Sequence, residues 1–154
     1  MDARQSPIGF FNLGLSYLDA ADILSQRHLD SGDSFRLRFE HPLRHLYAHA
    51  WELFLKACLF QQGWTPAQMK RKIGHNLSKA WDEIERGRFA ELDLHSDTRI
   101  VPEMLDQFHP TKQYAYPETG SRREFSIPYI RAASQRFRLS REEVRRLFGG
   151  IEAG

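Results

Sequence analysis

The chain has 154 residues, 41% hydrophobic and 27% charged, with a formal charge of +2 at pH 7. That length accommodates one core and excludes a multidomain machine, seven prolines and ten glycines exclude collagen-like and low-complexity chains, and no run approaches the roughly 18 consecutive apolar residues of a membrane span. A lone cysteine, Cys58, excludes an internal disulfide or a cysteine-rich zinc site, and the polar residues 1–6 lack the apolar region of a secretory signal, so the expectation is a cytoplasmic single domain, away from the membrane and without a cofactor.

Phe10, Leu13, Tyr17, Ala20, Ala21 and Leu24 recur at three- and four-residue steps, which predicts a first helix over about 10–28. Residues 30–34 read Asp-Ser-Gly-Asp-Ser and break it. Phe35, Leu37 and Phe39 alternate with Ser34, Arg36 and Arg38 over too short a run to build a sheet, so 35–39 is expected to be an extended linker. Pro42 suits a first helical turn, and the uninterrupted apolar stretch up to Gly63 predicts a second helix over about 42–62. Thr65-Pro66-Ala67-Gln68 has the capping-box spacing and opens a third helix that Gly74 ends. Leu77, Ala80, Trp81 and Ile84 mark a fourth, closed by Gly87. Ser96 or Asp97 is expected to cap a fifth, whose face is Ile100, Val101, Met104, Leu105 and Phe108.

Residues 109–126 hold Pro110, Pro117 and Gly120 without a helical period and read as an irregular arm bearing Tyr114 and Tyr116. The segment 127–150 is basic and helical, with a helix over about 128–138 and a last one opened by Ser140 and Glu143, again at capping-box spacing, and ended by Gly149. No period-two run is long enough for a sheet. The fold class is therefore all-α: a single domain, residues 1–154, whose bundle of four to five main helices spans about 8–112.

The second helix carries the chemistry. At about 100° per residue its apolar cover is nearly continuous from Leu43 through Leu46, Ala50, Leu53, Phe54 and Ala57 to Cys58. Its polar stripe, His41, His45, His49, Glu52 and Lys56, falls within about 80° of arc. Ionisable groups on a mostly buried helix require partners, and Glu52 and Lys56, at i,i+4 in the favourable order, supply each other. His45 and His49 have the spacing of two metal-ligating imidazoles, yet His-Glu-x-x-His is absent and no metal is assigned. His75, after Gly74 at a helix start, either caps backbone N–H groups or faces the Glu52–Lys56 pair. Neither a glycine-rich phosphate loop nor a nucleophile motif occurs.

His49-Ala-Trp-Glu52-Leu-Phe-Leu-Lys56-Ala-Cys-Leu-Phe-Gln-Gln-Gly63, followed by Gly74-His75-Asn76-Leu77, resembles the HEPN (higher eukaryotes and prokaryotes nucleotide-binding) helical domains. The likeness extends over roughly residues 10–87, and Tyr116-Pro117 resembles the aromatic-proline step that follows in such proteins. It implies an up-and-down HEPN-like bundle, a homodimer, and nucleotide or RNA binding in a pocket formed by His45, His49, Glu52, Lys56, His75 and Asn76. In the ribonuclease members of toxin–antitoxin and defence systems, which act with a cognate partner protein, an arginine and a following histidine are separated by four to six intervening residues. Arg44 and His49 have that spacing, as do Arg36 with His41, Arg38 with His45 and Arg88 with His95. His49 would then act as acid or base on a ribose 2′-hydroxyl and Arg44 would stabilise phosphate charge without a metal. Five residues on a regular helix place Arg44 and His49 about 140° apart, so convergence requires a distorted helix or a second subunit.

Charge is graded along the chain: residues 1–118 hold 14 Lys and Arg against 16 Asp and Glu, and residues 119–154 hold 8 against 4. All eight tail cations are arginines, whose planar fork suits phosphate, and Arg138, Arg141 and Arg145 are candidate phosphate contacts. Three readings follow: a nucleotide- or RNA-binding module without turnover, a metal-independent endoribonuclease using Arg44 and His49, and a non-catalytic structural or partner-binding protein in which Glu52 and Lys56 set helix register.

Overall fold

The computed structural model describes residues 5–30, 33–86, 100–106 and 127–149. The described elements are all helical: α1 (Pro7–Asp30), α2 (Asp33–Gln61), α3 (Pro66–Lys72), α4 (Leu77–Arg86), α5 (Ile100–Asp106), α6 (Ile127–Ser134) with a 3-10 turn at Gln135–Phe137, and α7 (Arg141–Phe148). The expected cap at Ser96 or Asp97, the Arg88–His95 pair, Phe108 and the 109–126 arm with Tyr114 and Tyr116 lie outside the described residues.

One expectation is corrected. Residues 35–39 are helical, and Pro42 lies inside α2, which starts at Asp33. A period of two over five residues is short, and the same residues satisfy the helical step: Phe35, Phe39 and Leu43 stand four apart. An interior proline costs a helix about 3 kcal/mol because it removes one N–H and crowds the preceding turn. The Glu40–Arg44 ion pair brackets that turn, and Leu43 is completely buried just beyond it.

α1 and α2 run antiparallel, as Phe10 meets Phe60, Tyr17 meets His49 and Asp22 meets Tyr47. α2 forms the axis of the core; from Leu43 to Leu59 most of its side chains are buried, Cys58 among them. Burial pushes the Cys58 thiol far up, so it behaves as a small apolar residue. α4 and α5 cover one side of this rod and α6 another. A chain of rings joins the elements: Trp81 stacks on Trp51, Trp51 meets Phe137 edge-on, Phe137 stacks on Phe54, and Phe54 touches Phe11, which reaches Phe148. Trp51 also donates its indole N–H to Ser134 Oγ at 2.8 Å.

Gly14 allows α1 to approach α2. A Cβ built there would sit 2.8 Å from the Phe54 ring, which is itself stacked 4.1 Å from Phe137 and cannot swing away. Gly14→Ala is therefore expected to destabilise: overpacking costs about 2 kcal/mol and outweighs the gain of about 1 kcal/mol in helix propensity. Thermal melts should show a Tm lower by about 3 °C, and a higher Tm would contradict this account of the crossing.

The helix ends prepare the site. Thr65 and Gln68 form a capping box at α3, and Ser140 and Glu143 form another at α7. Gly63 (φ +100) and Gly74 (φ +59) take left-handed backbone where α2 and α3 stop, and Trp64 and Gly74 donate their N–H groups back to Leu59 and Met69.

Candidate functional site

Glu52 is only 5% exposed on the third turn from the end of α2. Its Oε1 accepts hydrogen bonds from Lys56 Nζ at 2.6 Å, one turn on, and faces His75 Nδ1 at 2.9 Å. A proton on Nδ1 makes His75 the donor. Burial alone would raise the Glu52 carboxyl, but the hydrogen bonds and charge of Lys56, with His75 behind them, hold it below the ordinary value of 4.5. The carboxylate is therefore ionised at neutral pH and fixes two basic side chains at one point.

His75 arrives there because two helix terminations flank it. Gly74 N–H and Ile73 N–H both donate to Met69 O at 2.9 Å, closing α3. Asn76 Oδ1 accepts from Lys79 N–H at 2.9 Å, opening α4. Asp106, from the last residue of α5, completes the α4 cap by accepting from the N–H groups of Leu77 and Ser78 at 2.7 and 2.9 Å. The segment carrying His75 is thus tied at both ends, while its ring remains 61% exposed.

The ring faces a cavity of about 280 Å³ lined by Phe10, Lys56, Pro66, Met69, Lys70, Gly74 and His75. Small-molecule sites run from about 300 to 1,000 Å³, so this one suits a single phosphate-bearing group better than a large ligand. Phe10, Pro66 and Met69 give it an apolar wall; Lys56, Lys70 and His75 give it basic groups. Lys56 has three N–H donors and directs one at Glu52.

The other sequence candidates sit differently. His45 and His49 lie parallel, 6.2 Å between ring centroids, and His49 meets Tyr17 edge-on at 4.3 Å. Arg44 pairs with Glu40 on its own helix, and Asn76 serves as the α4 cap. Arg138 holds Asp19 Oδ1 and Asp22 Oδ2 at 2.7 Å each, so its fork ties the tail to α1. Asp22 also accepts from Tyr47 and Gln135. Burial would raise the Asp22 carboxyl, yet these donors and Arg138 keep it below its usual range. The graded charge is thus in part an internal interface, since Arg131 likewise bonds Gln26 of α1. Arg141 and Arg145 line a second cavity, against α1.

Sequence reasoning missed Lys70, Asp106 and the Asp22 network. Lys70 sits among Met69, Arg71 and Lys72, where nothing marks it out, and the partners of Asp106 and Asp22 are 25 or more residues away in the chain. Among the described residues no group of three His, Cys, Asp or Glu side chains is placed to hold a metal ion, and no helix is long and apolar enough to cross a membrane. Compared with known proteins, the chain matches no family model, no curated protein and no solved structure.

Proposed function

We propose that this chain is a HEPN-like helical module, working as a homodimer, that binds a nucleotide or RNA without turnover, its phosphate in the cavity between Lys56, Lys70 and His75. The observation that carries this reading is the buried Glu52 carboxylate holding Lys56 and His75 at the rim of an open cavity. A carboxylate so used orients the two basic side chains in advance, which lowers the ordering cost of binding an anion. Phe10 and Met69 offer an apolar surface for the ribose or base. Arg44, neutralised by Glu40, has less positive charge to offer a scissile phosphate, which favours binding over cleavage.

The test is mass spectrometry of small molecules and RNA that co-purify with the protein, followed by incubation of the released ligand with fresh protein in EDTA. A nucleotide or short RNA should accompany the wild type and survive the incubation. Lys70→Glu alters an exposed side chain and should leave folding intact, yet cut the bound amount at least tenfold. Equal loading of wild type and Lys70→Glu would remove the site, and cleavage in EDTA abolished by His49→Ala would replace binding with ribonuclease activity.

A further inference from the structure

From the second cavity we infer a separate binding site for a small amphipathic carboxylate, an acid carrying one apolar tail. The space between α1 and α7 measures about 470 Å³, inside the range of small-molecule sites. Its floor is apolar: Phe11 and Phe148, with ring centroids 4.9 Å apart, are flanked by Leu15 and Val144. Arg141 and Arg145 both line it and stand at i,i+4, one above the other on α7.

Among the described residues neither guanidinium has an acidic partner, in contrast to Arg44 and Arg138, which are both paired. Glu143, two residues from each arginine, lies off their face of α7 and accepts from Ser140 N–H at 2.7 Å in the capping box. Two planar forks over a greasy floor match a ligand with a carboxylate at one end and hydrocarbon at the other. A bare phosphate would leave the apolar floor wet, and a neutral alcohol would leave the arginines without an anion. Phe10 lines the Lys56–His75 cavity and Phe11 lines this one, so the two sites flank the first turns of α1 and are open to separate tests.

Isothermal titration of the full chain with octanoate, below its micelle concentration, reads the proposal directly. Octanoate should bind saturably at one site per chain, at least tenfold more tightly than 1-octanol or acetate. Arg141→Gln/Arg145→Gln changes two exposed side chains and should weaken octanoate at least tenfold with an unchanged Tm. Amide shifts on octanoate addition should centre on Phe11, Arg145 and Phe148. Octanol binding as well as octanoate, octanoate binding indifferent to the double substitution, or no saturable binding would each overturn the proposal. So would sedimentation with phosphatidylglycerol vesicles by a protein that ignores free octanoate, since the site would then serve a membrane surface.

Discussion

Trp51→Ala is expected to cost about 4 kcal/mol, the largest loss of any single truncation in the core. Trp51 has no exposed surface and lies where α4, the 3-10 turn and α6 meet the central helix: Trp81 stacks on one side, Phe137 meets it edge-on, and Ser134 accepts its indole N–H. Deleting it leaves a cavity that three separate elements would have to move to fill. Ser134 keeps its own hydrogen bond to Ile130 O, so the penalty comes from lost packing, not from an orphaned hydroxyl. Urea denaturation should show a lower midpoint with an unchanged slope, and the Tm should fall by roughly 12 °C. Trp51→Phe keeps one ring and should lose less than half as much. A Trp51→Ala loss below about 1.5 kcal/mol would mean that the site collapses freely and that the ring chain does not join the elements.

Lys56→Met should have the second largest effect, about 3 kcal/mol at pH 7, because it leaves the Glu52 carboxylate buried without its nearest cation. The pH dependence identifies the cause. The Glu52 carboxyl titrates below 4.5 in the folded protein, so its contribution is fully present above that value and is lost as the pH falls through the lower, folded value. In Lys56→Met burial prevails and raises the carboxyl, so the variant loses stability as the pH rises through that raised value. The gap between wild type and variant should therefore begin to shrink as the pH falls through that raised value and shrink further below 4.5. Glu52→Leu/Lys56→Met removes both charges and should recover wild-type stability to within about 1 kcal/mol or exceed it, while losing the ligand. A pH-independent penalty, or a double variant as unstable as the single one, would show that Lys56 acts through packing of its hydrocarbon stem.

How much of this is legible in the sequence differs by element. Thr65 with Gln68 and Ser140 with Glu143 announce their helices because a cap is a local device, written within four residues. Gly63 and Gly74 mark stops for the same reason, since left-handed backbone favours glycine wherever the rest of the fold lies. The start of α2 is not legible: Pro42 carries the signature of a first turn, and what sustains the helix through it is the Glu40–Arg44 bracket and the burial of Leu43 beyond. Within the site, Glu52 and Lys56 are readable as an i,i+4 pair on a helix too apolar to tolerate single charges. His75 is readable only as one of two alternatives, cap or partner, and Asn76 takes the capping role beside it. Arg138 is misleading from sequence because an exposed-looking tail arginine and an intramolecular clamp have the same local pattern. The carboxylates it meets, Asp19 and Asp22, lie more than 110 residues earlier.

The central claim is that a buried carboxylate organises Lys56 and His75 into an anion site together with Lys70. Side-chain NMR of the labelled full chain, titrated with AMP, tests it most directly. Saturable shifts are expected at the His75 ring and the Lys70 Nζ signal, and at Lys56 Nζ in the wild type, with the His75 and Lys70 shifts absent from Glu52→Leu/Lys56→Met at equal stability. AMP that leaves the three wild-type signals unmoved, or that moves the His75 and Lys70 signals equally in the double variant, would contradict it.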